Sequence, residues 1–452
     1  MTMATMISIL PFAALLLAMA VLPMVAGAFW HRFHPAIAAA CAGASIAISL
    51  CTQAEAWPLI AVAGEYLTFI SLIACLYICA GGIVVRIGRP GTPLTNLMVL
   101  LGGAALSNLI GTTGASLVLI RPFMAINAGR LRPYHIVFFI FVVSNIGGCL
   151  TPIGDPPLLM GYLRGIDFLR FATLAWWPWV TAMALVLAAF LWCDSRQVAP
   201  AGPAEDAAAA GGTAAGDGQR PLVHVRGWPI AGLLVVAVAT LFLDPATCSW
   251  LPALEFQHHR ISIVREAILL AIALAAHRLA EPADQQENRF SLAPISEVAW
   301  LFAGIFIAMA PAIALLHAQA ASGSIAGLPL TPMVLYGATG ICSGVLDNAP
   351  TFVAFLSSLE GSTGLSAAEL GRSADALVGQ RLAAIAVASV FWGALSYIGN
   401  GPNLIVKAVA EEARDAQGRA VVAMPDFLAY TLRYAIPFLL PVLLVVGLLF
   451  FR

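Results

Sequence analysis

The chain has 452 residues, 61% of them apolar and only 10% Asp, Glu, Lys or Arg. A soluble domain carries about 25% charged residues, so a water-soluble globule of this size is excluded, as are a coiled coil, a disordered chain and a disulfide-stapled secreted scaffold. The formal net charge of -1 gives no electrostatic bias toward nucleic acid, and what remains is an all-α polytopic membrane protein.

A helix needs about 20 apolar residues to cross a bilayer. The apolar runs predict spans at 5–28, 35–52, 58–85, 133–163, 172–193, 227–243, 261–279, 298–319, 379–411 and 426–451. The first is long enough to span and precedes Arg32, so it reads as a membrane helix and not a cleaved leader. Two further apolar stretches, 93–125 and 329–356, carry polar kinks at Ser107-Asn108 and Asp347-Asn348. Their halves are too short to cross, so both read as re-entrant hairpins. The Ala- and Gly-rich stretch 194–226 reads as a cytoplasmic linker between halves. Among the eight cysteines, Cys248 falls in a loop and the rest in or beside apolar runs. Cys75 and Cys79 share a helix face without the further ligands zinc would need, so the cysteines read as packing residues.

Charge sets the expected orientation. With these spans fourteen cationic residues collect on one side and seven on the other, leaving Arg433 aside. The richer side should be cytoplasmic, which puts the N-terminus outside. Lys407 is the only lysine beside 21 arginines, a usage in keeping with a bacterial inner (plasma) membrane protein.

The two halves resemble each other in order. Leu72–Ile78 resembles Leu301–Ile307, Ser107-Asn108 matches Asp347-Asn348, and Pro152–Leu159 matches Tyr397–Leu404. Residues 1–193 then form one unit, with hairpin 93–125 and broken helix 133–163. Residues 227–452 form the other, with hairpin 329–356 and broken helix 379–411. Five spans plus a hairpin per unit make the second unit inverted, and inverted repeats with discontinuous helices are the architecture of secondary transporters.

Gly147-Gly148, Pro152 and Pro156-Pro157 stop the fourth span; Gly399, Gly401 and Pro402 stop the ninth. Backbone groups freed inside a membrane must meet protein, water or a ligand. Asn108 and Asn348 add side-chain carbonyl oxygens; Ser107, Thr112, Thr113, Thr351 and Ser396 add hydroxyls. Such hard oxygen donors suit a small alkali cation, while the alternative is that they only close kinks. Asn145, Asn400 and Asn403 border the same breaks. Two acids decide the chemistry. Asp155 lies in the first break and Asp347 at the second hairpin tip, where an Asp at bilayer depth costs about 2.5–3.5 kcal/mol. A carboxylate there can exchange a proton for a metal ion. The other reading makes Asp155 a cap for the helix at Pro156, and Asp347 a cap for its hairpin arm. Glu65, Glu297, His135 and His317 read as interfacial, Arg121 as a cation snorkelling to the surface, and Trp176-Trp177-Pro178-Trp179 as an aromatic anchor.

The run Ser144-Asn145-Ile146-Gly147-Gly148-Cys149-Leu150-Thr151-Pro152-Ile153-Gly154-Asp155 is similar to the first broken helix of sodium/proton antiporters of the ion transporter superfamily. Leu346-Asp347-Asn348-Ala349-Pro350 is similar to their second hairpin tip. The superfamily also holds citrate, dicarboxylate and arsenite carriers, and the likeness extends to its citrate transporter branch. Dicarboxylate carriers have Ser-Asn-Thr at both tips, whereas this chain has Ser107-Asn108-Leu109 and Asp347-Asn348-Ala349. The resemblance implies a scaffold part, often dimerising, and a transport part that moves as an elevator. It implies Na+ as the transported ion with no resident cofactor, and a homodimer as the assembly. By residue matching, Ser107, Asn108 and Gly154, with Asp155, form one cation site; Asn348 and Gly399 belong to its pseudo-symmetric partner.

The first expectation is therefore a sodium/proton antiporter. The alternative is a cation-coupled citrate, dicarboxylate or oxyanion transporter. An intramembrane protease is disfavoured, since His-Glu-x-x-His is absent and Pro152-Ile153-Gly154-Asp155 has Pro where Gly-x-Gly-Asp requires Gly. A non-transporting receptor would not need two symmetric breaks.

Overall fold

The computed structural model describes residues 7–51, 59–197, 222–243, 251–256, 259–325, 327–414 and 418–452. Cys248 and most of the 194–226 linker lie outside the described residues. The helices in chain order are α1 (Leu10–Val25), α2 (Gly27–Cys51), α3 (Leu59–Gly81), α4 (Pro93–Ile126), α5 (Pro133–Val142), α6 (Pro156–Leu163), α7 (Arg170–Ser195), α8 (Trp228–Thr240), α9 (Val264–Leu279), α10 (Ala293–Ala320), α11 (Pro332–Val345), α12 (Asn348–Thr363), α13 (Ala376–Phe391), α14 (Gly401–Glu412) and α15 (Phe427–Phe450). The all-α expectation holds: strands among the described residues form only two-stranded pairs. One pair joins β1 (Val84–Ile87) to β2 (Val223–Arg226), so the last residues of the expected linker are in fact a strand. Seven described helices are long and apolar enough to cross a membrane. Trp177, Val235, Leu444 and Leu449 stand exposed on the outer surface, as a hydrocarbon solvent permits.

Four expected elements shift their boundaries. The second helix starts at Gly27, not 35, and Pro35 lies inside it. The helices α8 and α9 have only 13 and 16 residues, shorter than the runs that predicted them. The second hairpin runs on to Thr363, where Gly364 at φ 69° closes the helix in the left-handed conformation.

The helix α4 is folded back on itself. Its 34 residues would measure about 51 Å if straight. Instead Asn96 and Asn127 exchange side-chain hydrogen bonds of 2.9 and 2.8 Å, and the Gly91 N–H reaches the Ile126 carbonyl at 2.7 Å. The turn is at Gly111, with φ 81° and ψ 155°, and not at Ser107-Asn108 as the polar kink predicted. Glycine takes that φ without the Cβ clash other residues suffer. Ser107 and Asn108 stay helical, and their side chains donate to the carbonyls one turn back, Gly103 at 2.9 Å and Ala104 at 3.0 Å.

A serine makes the same kind of contact in each hairpin. Ser107 Oγ also donates to the Val143 carbonyl at 2.7 Å, and Ser343 Oγ donates to the Ser389 carbonyl at 2.6 Å. Each serine ties the first arm of its hairpin to the neighbouring broken helix. Thr112 follows directly on the turn of the first hairpin and Asn348 on that of the second. Both hairpins also start alike: Thr92 accepts from the Thr95 N–H ahead of Pro93, and Thr331 from the Val334 N–H ahead of Pro332.

The broken helices occupy the centre. Ile136 through Val143 are fully buried, because α5 is apolar all round and has no face for solvent. From Leu382 to Phe391, α13 is buried in the same way. Outside them α10 packs on α2 and α12, with Gly304 so close to Ala38 that a Cβ there would meet the Ala38 Cβ at 2.9 Å. Phe69 of α3 stacks on Phe302 of α10 at 4.6 Å.

Candidate functional site

Both breaks are built on a glycine pair. Between α5 and α6, a Cβ on Gly148 would lie 2.7 Å from the Gly154 carbonyl oxygen; between α13 and α14, a Cβ on Gly399 would lie 2.6 Å from the Gly393 oxygen. Only glycine lets each loop close this tightly. The pairs are equivalent in the matched segments, as are Asp155 and Asn400.

Asp155 is 1% exposed and stands at the N-cap of α6, yet its side chain makes no cap hydrogen bond. The capping alternative for this residue is overturned. Its carboxylate instead accepts from Thr112 Oγ1 at 2.6 Å, from Asn348 Nδ2 at 2.5 Å and from Asn400 Nδ2 at 3.0 Å. Thr112 and Asn348 are the first residues after the two hairpin turns, so both tips reach one carboxylate. All three donors are neutral. The Asn400 amide also donates to the Ser144 carbonyl at 3.0 Å and Asn145 Oδ1 at 3.2 Å. Asn145 donates to Asn403 Oδ1 at 2.7 Å, and Asn403 to the Gly393 and Ser396 carbonyls at 2.8 and 2.9 Å. A continuous amide chain thus joins the two breaks.

The other expected residues take local partners. Asp347 accepts from the Ala349 N–H at 3.0 Å and caps its own helix, as the capping alternative predicted; Thr351 Oγ1 donates to the Asp347 carbonyl at 2.9 Å. Ser396 Oγ accepts from the Ile398 and Gly399 N–H groups at 3.2 Å each. Asn108 donates to the Gly147 carbonyl at 2.6 Å and accepts from the Leu150 N–H at 2.9 Å. It fastens the first arm to the break, with its amide spent on protein partners. The Gly154 carbonyl accepts the Thr112 N–H at 2.8 Å. Of the six residues expected to hold a metal ion, Asp155 and Asn348 hydrogen-bond directly to each other. No group of three His, Cys, Asp or Glu side chains suited to a metal occurs among the described residues.

A cavity of about 30 Å³ lies beside Asp155, between the Gly111–Gly114 tip, the Pro152–Pro156 break and Leu72, Ile73, Leu76 and Tyr77 of α3. It has room for one water or one small cation. Asp155 is its only charged wall residue. A larger cavity of about 390 Å³ lies among Arg170, Trp177, Asp375 and Phe451, and shares no residue with this site.

A second polar cluster was not anticipated. Asp194 of α7 is fully buried and accepts from Asn96 at 3.0 Å, Tyr134 at 2.7 Å and Arg130, with His135 Nε2 at 3.1 Å. It clamps the feet of the first hairpin. His135, expected at an interface, is buried instead. The available signal was a set of polar residues inside otherwise apolar helices.

Polar breaks gathered inside an apolar helical body define a membrane transport protein. The chain belongs to the family described as "Putative citrate transport", whose model matches residues 1–451. No curated protein matches the chain. It is an integral membrane transporter of the secondary class, and not an enzyme.

Proposed function

We propose that this transporter carries a citrate-like carboxylate together with cations that bind at Asp155. The observation that carries this reading is the grip of both hairpin tips on one buried carboxylate. A polycarboxylate beside Asp155 meets like charge in a wall without a cation, and buried unpaired charge is costly. Cations travelling with the substrate, Na+ or H+, relieve both charges at once. The family supports a citrate substrate; the site supplies the reason for coupling. The structure's equivalences support inversion of 1–193 against 227–452: Asp155 and Asn400 are matched residues, and they touch at 3.0 Å. Contact between matched residues is what a pseudo-two-fold axis between the halves would produce, and it supports the elevator reading. The cation donors are drawn from Thr112, Asp155, Asn348 and Asn400, in a bacterial inner membrane and a homodimeric assembly.

The test is uptake of radiolabelled citrate into proteoliposomes. Accumulation driven by an inward Na+ or H+ gradient, and absent without one, is the expected result; no gradient-driven uptake counts against the reading. A second reading, sodium/proton antiport, is favoured by the lack of a basic side chain among the described residues that line the cavity beside Asp155. It requires that Na+ alone collapse a preformed pH gradient in everted vesicles.

A further inference from the structure

The cavity of about 390 Å³ is a groove between α7 and α13, with Phe450 and Phe451 on its wall. Along α7 it passes Arg170, Leu174 and Trp177, which steps of four and three residues put on one helix face. It therefore runs about 10 Å along that helix, from a charged end to an apolar one. The 26 residues of α7 measure about 39 Å, close to the full thickness of a bilayer with its headgroups. Arg170, the first of them, then stands at headgroup level. Trp177, 67% exposed, stands near the hydrocarbon edge, where indole rings settle. At the charged end, Arg170 Nη2 donates to the Ser373 carbonyl at 3.1 Å, while its Nε is buried with no hydrogen-bond partner. Gly379 leaves the guanidinium room on α13, since a Cβ there would stand 3.4 Å from Nη2. No side chain caps α7, so its positive end adds to this charge. Asp375 lines the same groove. Its Oδ1 caps α13 by accepting from the Leu377 N–H at 2.7 Å and the Val378 N–H at 3.3 Å. Each charge is held by backbone, and among the described residues no ion pair joins the two.

We propose that this groove holds one phospholipid with an ethanolamine headgroup, its phosphate on Arg170, its ammonium on Asp375 and an acyl chain along Leu174 and Trp177. A guanidinium matches phosphate oxygens with a planar fork of donors, and a buried donor without a partner is costly until something fills it. One cation and one carboxylate held apart in one groove complement a headgroup that is itself a phosphate and an ammonium. An anionic headgroup would leave Asp375 without a counter-charge, and a choline headgroup has no N–H to donate to it. The lipid would join α7 to α13, the helix that leads into the second break, whatever substrate the protein carries.

The experiment adds phosphatidylethanolamine, phosphatidylglycerol, phosphatidylcholine or inorganic phosphate to delipidated protein in detergent. It reads the unfolding midpoint and, by native mass spectrometry, the lipid retained. On wild type, phosphatidylethanolamine should reach half its effect at a concentration roughly two- to fivefold below that of the other two lipids, the weight of one exposed ion pair, and inorganic phosphate should have no effect. Asp375→Asn keeps a good helix cap and should erase that preference. Arg170→Gln should weaken all three lipids. Trp177→Ala, at an exposed position where substitution leaves the fold intact, should lower the amount of lipid retained. If Arg170→Gln does not elute from gel filtration as wild type does, the other two variants decide. Equal effects of the three lipids on wild type overturn the headgroup assignment, and inorganic phosphate as effective as lipid overturns the lipid. A wild-type preference that persists in Asp375→Asn, with retention unchanged in Trp177→Ala, overturns the site.

Discussion

Replacing Asp155 by Asn tests the centre of the mechanism. The carboxylate accepts three hydrogen bonds, two at Oδ1 from Thr112 and Asn400 and one at Oδ2 from Asn348. An amide keeps one acceptor oxygen and turns the other position into an NH2 group. If the oxygen faces Thr112 and Asn400, the new NH2 meets the Asn348 NH2, and one hydrogen bond to a charged acceptor is lost. Such bonds contribute about 1.5–3 kcal/mol. A cation bound by the same carboxylate loses an interaction of that order, so its apparent affinity should fall roughly 10- to 150-fold, at about 1.4 kcal/mol per tenfold. The assay is citrate uptake in proteoliposomes over a series of Na+ concentrations at fixed pH, then over a pH series without Na+. In Asp155→Asn the half-saturating cation concentration should rise by that factor, or coupled uptake should disappear. Thermal unfolding in detergent should stay cooperative, since the amide still fills the site. An unchanged cation dependence in a folded variant would refute the assignment of the cation to Asp155.

Other substitutions probe the parts that build the site. Gly111→Ala puts a Cβ at φ 81° and ψ 155°, a backbone region open essentially to glycine alone and costing about 1–3 kcal/mol; maximal uptake should drop while the protein still folds, as read by uptake and gel filtration. Gly154→Ala drives a Cβ into the Gly148 backbone, so binding of citrate in a thermal-shift assay should be lost. Asp194→Asn removes the charge that pairs with the partly buried Arg130, a change that costs less than the about 3–5 kcal/mol of a fully buried pair; the unfolding midpoint should fall, with the citrate KM of surviving protein unchanged. At the surface, hydrogen bonds from Arg86 hold the Glu287 carboxyl below its ordinary 4.5, with Arg226 adding to the effect. A depressed carboxyl stabilises the fold above the unfolded value and loses that contribution as pH falls through the folded one. The unfolding midpoint should therefore decline below about pH 4.5, and Glu287→Gln should flatten that decline.

How much was legible in the sequence follows from what each signal depends on. Apolar runs report burial in lipid, so the all-α class and the two broken helices could be read directly. Gly147-Gly148 and Pro152 mark a backbone that cannot continue as helix, whatever it packs on. The hairpin tip failed because polarity was taken as the sign of the turn. Ser107 and Asn108 are polar to bond carbonyls, and the turn needed Gly111, whose signature is backbone freedom. That error also hid that Thr112 and Asn348, each directly after a hairpin turn, reach the same carboxylate. The acids were legible as a pair but not as different things: Asp347 finds an N–H two residues on, whereas Asp155 finds none and turns to three distant segments. Which of these a carboxylate does depends on what folding brings to it, and the Asp194 cluster was unreadable for the same reason.

The contacts of Asp155 also bear on how occupancy and movement are linked. Hairpin one is bound at its foot by Asn96 and Asn127, along its arm by Ser107 and Asn108, and at its tip by Thr112. Hairpin two is tied along its arm by Ser343 and reaches Asp155 through Asn348, while Val345 beside its tip is exposed. A cation that takes Asp155 oxygens from these donors competes with Thr112, Asn348 and Asn400 together. Thr112 lies on a bound arm and Asn400 has other bonds nearby, but the Asn348 link is the main polar tie between the second tip and the break among the described residues. A ligand shifts a two-state equilibrium only by its differential affinity for the states. A carboxylate shared by both tips supplies that difference, since its three neutral donors must rearrange whenever a cation or proton arrives, and the second tip has the fewest bonds holding it where it was.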